Sequence, residues 1–203
     1  MRIAQNPILT AVFLFFSVGL VSTPPAVLAQ ADYILDAGSE ISIEGTSTRS
    51  DWTVQATELD GSIGVAGEAS DAEVSHGRLS IASAGIKSGK STIMDRLMHS
   101  ALMVDEHPEI TYELTHAEQV GSAADDGTLT LNTTGEITLT GTTRDVQIEV
   151  TATPLEDGMI RFTGSHAMKM SDYGMAAPTA MFGQLRTADD ITIHFDIVAA
   201  PTN

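Results

Sequence analysis

Apolar and polar residues alternate along most of this chain, most clearly in a stretch beyond its midpoint. Ile137 and Leu139 alternate there with threonines, and after a glycine three more apolar residues alternate with polar neighbours. Those three are Val146, Ile148 and Val150. A period of two places apolar side chains on one face of a strand and polar ones on the other. The stretch therefore predicts a hairpin with one solvated face, typical of an antiparallel all-β domain.

The same alternation recurs from residue 32 to residue 199 and predicts about eight strands, separated by glycine-containing turns. Short strands at this spacing are typical of a sandwich or a closed barrel. The inward face is well defined, because a slip of one residue would turn every member outward. It is predicted to contain Trp52, Val54, Ile110, Tyr112, Leu114, Ile137, Leu139, Val146, Ile148, Val150, Ile193 and Phe195.

One segment, residues 91–103, instead repeats its apolar residues at helical spacing. The polar side of the predicted helix consists of Asp95, Arg96, His99 and Ser100. A single amphipathic helix in an all-β chain is expected to close a barrel end or a gap between strands. Its apolar side consists of Ile93, Met94, Leu97, Met98, Ala101 and Leu102.

A second irregular segment, residues 168–186, contains four of the methionines. Methionine is flexible and polarisable, so it suits a lining that adapts to a long apolar molecule, and it equally fills gaps in a packed core. Both interpretations stay open at this point. Under the first, Leu97, Met98 and Leu102 of the helix face the second segment and form an adjustable apolar gate. Its members on that segment are Met170, Tyr173, Met175 and Phe182.

The N-terminus has the pattern of a cleaved signal peptide. Arg2 precedes an apolar core at residues 8–21, which is too short for a comfortable membrane span, and small residues follow at two cleavage points. We predict a signal peptide over residues 1–29, with cleavage after Ala29 or after Ala31, and a single domain over residues 32–200. An uncleaved N-terminal anchor is the alternative.

The amino-acid composition excludes several classes of site and partner. The chain has no cysteine, which excludes disulfides, thiolate metal sites and a cysteine nucleophile. Its net charge of −17 repels nucleic acid and anionic membrane surfaces. His166 near Met168 and Met170 is a weak copper candidate, and no other histidine spacing suggests a metal. No serine-nucleophile motif occurs, so we expect no catalytic residue, metal or cofactor.

Four segments in order resemble the YceI-like family of lipid-binding domains. Residues 33–54 are similar to its first hairpin, and residues 88–114 to its helical insertion with the following strand. Residues 135–150 are similar to its central hairpin, and residues 170–199 to its closing loop and strand. The resemblance implies a lipocalin-like antiparallel barrel around an elongated apolar cavity, exported to the periplasm and binding isoprenoids or other long-chain amphiphiles.

Two departures from the family pattern concern its polar headgroup contacts. Ser50 stands where a subgroup has histidine, and residues 94–97 carry Asp-Arg where Arg-Asp is widespread. The apolar channel does not depend on either position.

We therefore expect a periplasmic carrier, monomer or homodimer, that sequesters an isoprenoid, quinone or fatty amphiphile, without nucleic-acid partners or a membrane segment after processing. Two alternatives stay open: a solidly packed β-domain that binds partners through its acidic surface, and a lipid-modifying enzyme using the same cavity. The candidate ligand-binding residues are Trp52, Val54, Leu97, Met98, Leu102, Tyr112, Leu114, Leu139, Ile148, Met170, Tyr173, Met175, Phe182 and Phe195.

Overall fold

The computed structural model describes residues 30–66, 73–89 and 91–202. The predicted signal peptide, residues 1–29, lies outside this part of the chain. One α-helix, α1 (Thr92–Leu102), interrupts the described strands. The strands are β1 (Gln30–Leu35), β2 (Glu40–Ser47), β3 (Trp52–Ala56), β4 (Leu59–Ala66), β5 (Glu73–Ala82), β6 (Ile86–Lys87), β7 (Glu109–Val120), β8 (Leu129–Leu139), β9 (Thr142–Pro154), β10 (Ile160–Lys169), β11 (Thr179–Ala180) and β12 (Leu185–Pro201).

Eight strands close into an antiparallel barrel in the order β1-β4-β5-β7-β8-β9-β10-β12, and β12 returns to β1. The closing register aligns Tyr33 with Pro201. Towards its N-terminal end, β12 leaves β1 and pairs instead with β2, where Ile193 aligns with Ile43. β3 and β6 continue this part of the wall. The predicted barrel of about eight strands is therefore confirmed, and the sandwich alternative is excluded.

The helix forms where the sequence predicts it and is attached to the wall by its polar side chains. Ser91 Oγ accepts the Met94 N–H at 3.4 Å, as an N-cap does. Asp95 Oδ1 accepts both the N–H and the hydroxyl of Ser88, at 2.8 and 2.6 Å. His99 Nε2 lies 2.8 Å from the Ile86 carbonyl oxygen, to which it donates. Asp95 and His99 thus join α1 to β6 and the residue after it.

All twelve residues predicted to face inward are buried or half-buried, so this prediction is confirmed. The alternation on β9 is typical: Ile148 is half-buried and faces the lumen, whereas its neighbour Gln147 is exposed. No helix of the described residues is long and apolar enough to cross a membrane.

Candidate ligand-binding site

In the part of the chain that the structure describes, two adjacent cavities lie inside the barrel. The larger, the mouth chamber, has a volume of about 660 Å³ and lies between α1, the strand ends and residues 170–184, the late loop. Exposed residues such as Arg49 and Ser50 belong to its wall, so the chamber reaches the protein surface. The smaller, the inner chamber, has a volume of about 180 Å³ and is lined by strand residues only. The interior is therefore not filled by its own side chains.

The two methionine-rich segments predicted to form a gate meet around the mouth chamber. Leu97, Met98 and Leu102 line it from the helix, and Met170 and Met175 line it from the late loop. The structure thus brings these five candidate residues together on one cavity. Their contact with a ligand stays a prediction.

The predicted gate is wrong at two positions. Tyr173 and Phe182 line neither chamber. Tyr173 is only 2% exposed and packs in the core, where its carbonyl oxygen accepts the Thr140 hydroxyl at 2.5 Å. Phe182 is fully exposed, since the turn Met181–Gly183 has a left-handed backbone at this residue, with φ of 54°. Neither side chain faces the helix across the mouth.

The remaining candidates are divided between the two chambers. Trp52, Val54 and Leu139 line the mouth chamber. The inner chamber is lined by Tyr112, Leu114, Ile148 and Phe195.

The late loop is held in place by polar contacts with the barrel. Asp189, at an irregularity of β12, accepts the N–H and the hydroxyl of Ser171 at 2.8 and 2.6 Å. These two hydrogen bonds hold the pKa of the Asp189 carboxyl below its usual value. Arg144 Nε donates to the Asp172 carbonyl oxygen at 3.0 Å. The backbone on both sides of the mouth is therefore anchored, while the methionines that line it keep flexible side chains.

The aromatic residues of the lumen lie over glycines, which the hydrophobic pattern did not indicate. A Cβ on Gly164 would be 2.5 Å from Cζ of Phe195, its cross-strand partner. A Cβ on Gly135 would likewise lie 2.5 Å from Cε2 of Tyr112 on β7. The missing side chains let both rings lie against the wall. This arrangement leaves open space in a barrel whose aromatic residues could otherwise fill it.

The inner chamber is mainly apolar, and burial favours the neutral forms of Tyr112 and His166. The Tyr112 hydroxyl donates to Thr133 Oγ1 at 3.4 Å, and the Thr133 hydroxyl donates to the Ile148 carbonyl oxygen at 2.8 Å. Burial raises the pKa of Tyr112 and lowers the pKa of His166. Arg78 contributes to the wall, while its guanidinium lies 3.4 Å from the exposed Glu113 carboxylate. Such a chamber favours an uncharged apolar group.

The copper candidate gains no support from the geometry. His166 lines the inner chamber, whereas Met168 and Met170 line the mouth chamber. Among the described residues, no group of three or more histidines and carboxylates could hold a metal ion.

The rim of the mouth chamber is polar. Arg49, Ser47 and Ser50 lie on one side, and Ser91 and Thr187 also contribute to the wall. A ligand with an apolar tail and a polar end can therefore place the tail in the lumen and the polar end beside hydrogen-bonding groups.

These features define a closed antiparallel barrel with an apolar, surface-connected lumen. The sequence profile of the YceI-like domain matches residues 33–199, so the chain belongs to the YceI-like family, as the resemblance predicted. No curated protein matches the chain.

Solved structures of low sequence identity share the fold. BcnA of Burkholderia cenocepacia superposes with a TM-score of 0.68 at 17% identity, covering 82% of this chain and 99% of BcnA. A polyisoprenoid binding domain from Saccharophagus degradans, implicated in plant cell wall breakdown, has a TM-score of 0.66 at 12% identity, covering 86% and 100%. The Campylobacter jejuni YceI protein has a TM-score of 0.58 at 18% identity, covering 74% and 84%.

Proposed function

We propose that this protein is an exported binding protein that carries a long-chain apolar molecule, such as an isoprenoid, quinone or fatty amphiphile, inside its barrel. The observation that supports this proposal most directly is the mouth chamber. Its volume of about 660 Å³ lies within the range of small-molecule sites, and its lining is mainly apolar with a few polar groups at the rim. The role proposed is binding and transport, without a chemical step.

The energetics of the lumen favour a tail over a charged group. Each Å² of apolar surface buried contributes roughly 25 cal/mol, so affinity comes from the length of tail that the lumen covers. Burial raises the pKa of Tyr112 and lowers the pKa of His166, so it disfavours charge in the inner chamber, and the guanidinium of Arg78 at its wall already lies beside the Glu113 carboxylate. The polyisoprenoid binding activity of the Saccharophagus domain supports an isoprenoid as the ligand class.

Export to the periplasm is part of the proposal. It is supported by the signal-peptide pattern at residues 1–29. Mass spectrometry of protein recovered from the exporting cell tests it: a chain that begins at Gln30 or Asp32 supports export. An intact leader on that protein would contradict it.

The test of binding is titration with linear prenols and quinones of graded tail length, followed by Trp52 fluorescence and by native mass spectrometry. Trp52 is the single tryptophan and lines the mouth chamber, so it reports on occupancy. Affinity is expected to increase by up to ~0.8 kcal/mol for each added methylene until the tail outgrows the lumen. If no apolar chain binds, the packed β-domain with an acidic partner-binding surface becomes the better account.

A further inference from the structure

We propose that a ring of five isoleucines between the two chambers determines the longest tail that the barrel accepts. The inference rests on the proposed function and adds a specificity-determining element to it. These residues line both cavities, so they form the wall that the chambers share. We call the ring the waist; its members are Ile41, Ile81, Ile110, Ile137 and Ile193.

The waist surrounds the lumen because its members come from five different strands, β2, β5, β7, β8 and β12. Ile81 and Ile110 are direct cross-strand partners and form one side of it. Ile41 and Ile137 are buried, at 2% and 7% exposure, and hold the ring to the core. The other three members are half-buried, because part of each faces open space in the chambers.

The side chains of the waist differ in stiffness from those of the mouth. Isoleucine is branched at Cβ and has restricted χ1 rotamers, whereas methionine has three freely rotating bonds. Met98, which is half-buried on the helix, can therefore move aside for a tail entering the mouth chamber. The isoleucines offer a narrower and less adjustable passage beyond it.

The space behind the waist is small and of definite size. The inner chamber of about 180 Å³ is slightly larger than an apolar cavity of roughly 150 Å³ that holds benzene. It therefore has room for about one isoprene unit of five carbons. Such a unit, once through the waist, strengthens binding by up to about a thousand-fold. A tail that the waist stops gains nothing from further length, and affinity stops rising there.

The test uses linear prenols from geraniol upwards and determines the tail length at which affinity stops rising. Ile110→Ala widens the waist and should move this limit to longer tails by about one isoprene unit, the room that the inner chamber offers. Ile110→Phe narrows the waist and should move it to shorter tails. Circular dichroism verifies that each variant is folded. If Ile110→Ala does not fold, the double variant Ile110→Val with Ile193→Val removes volume in smaller steps and should shift the limit in the same direction.

Leu97 supplies matched controls, because leucine and isoleucine have the same atoms and Leu97 lines the mouth chamber only. Leu97→Ala and Leu97→Phe should change the affinity of all prenols similarly and leave the limiting length in place. The proposed role of the waist is refuted if the limiting tail length stays fixed in the folded Ile110 variants. It is also refuted if the Leu97 variants change that length equally. Failure of the wild-type protein to bind any prenol refutes the proposed function instead.

Discussion

Gly45 and Trp52 are cross-strand partners, and the indole ring of Trp52 occupies the space that a side chain on Gly45 would need. A Cβ at position 45 would lie 2.3 Å from Cζ2 of the ring, and the three nearest atoms all belong to this indole. The ring is further oriented by Nε1, which donates to the Thr46 carbonyl oxygen at 3.2 Å. The glycine thus determines where the only tryptophan of the chain lies in the wall of the mouth chamber.

Gly45→Ala is predicted to displace Trp52 towards the mouth chamber and to lower the free energy of unfolding by about 1–3 kcal/mol, as overpacking does. In the Trp52→Leu background the same change should cost less than about 1 kcal/mol, because the clashing atoms are absent. Urea denaturation of the four proteins gives the coupling free energy between the two positions.

Gly135 is a useful comparison for the Gly45 and Trp52 variants, because its missing side chain faces a backbone atom as well as an aromatic ring. A Cβ there would meet the ring of Tyr112 at 2.5 Å and also the Glu113 carbonyl oxygen at 2.6 Å. A backbone atom cannot be removed by mutation, so Tyr112→Leu should rescue Gly135→Ala only in part. Equal rescue at the two glycines would show that the side-chain contact alone does not explain the requirement for glycine.

Ile148→Asp is predicted to unfold the domain or to destabilise it by at least ~3 kcal/mol, because it places an unpaired charge inside the barrel. Gln147→Asp, one residue earlier on β9, should change the free energy of unfolding by less than about 0.5 kcal/mol, since its side chain is exposed. Urea denaturation of both variants measures the difference. Similar losses would mean that the inward face of β9 is assigned incorrectly.

The period of two was sufficient to predict the inward residues, because neighbours such as Gln147 and Ile148 are separated by the pleat of the strand itself. It could not predict the role of Gly45, which depends on the residue that aligns with it on the next strand. The same limit applies to the waist: the pattern predicts that Ile110, Ile137 and Ile193 face inward, but only the register of the whole barrel places them at one level.

The directions of the side chains in the late loop could not be predicted from the hydrophobic pattern. The gate prediction places Met170, Tyr173, Met175 and Phe182 on one surface because methionine is concentrated in the two segments that interrupt the sheet. The loop consists of short 3₁₀ turns and a two-residue strand joined by irregular backbone, so sequence proximity does not determine direction. Hydrogen bonds and the left-handed residue at Phe182 separate the four side chains between the mouth, the core and the solvent.

Low pH is predicted to weaken the hydrogen bonds that attach the helix and the late loop to the barrel, and so to lower the free energy of unfolding. Hydrogen bonds from Ser88 lower the pKa of Asp95 on the helix side, and hydrogen bonds from Ser171 lower the pKa of Asp189 on the loop side. A carboxyl whose pKa is lower in the folded state stabilises the fold above its unfolded pKa of about 3.9. That contribution is lost as the pH falls through the folded pKa.

Asp95→Asn and Asp189→Asn should therefore be less stable than the wild-type protein at neutral pH, and their stabilities should converge with it below about pH 4. Urea denaturation at a series of pH values measures this difference. Asp60→Asn, on the exposed face of β4, is a control that should leave the profile unchanged. A constant difference between wild type and variants at every pH would contradict the assigned role of the ionised carboxylates.

Met98→Trp is predicted to weaken the binding of long prenols while leaving the barrel folded. Met98 is half-buried and faces the mouth chamber, so a larger side chain can enter open space there without displacing packed core. The indole then occupies volume in the mouth chamber that the tail has to cross, so a long prenol buries less apolar surface there, at roughly 25 cal/mol per Å². Titration monitored by native mass spectrometry measures this effect, since the new tryptophan alters the fluorescence signal. Retained affinity for long prenols would show that the tail does not pass Met98, and an unfolded variant would show that this side chain belongs to packed core.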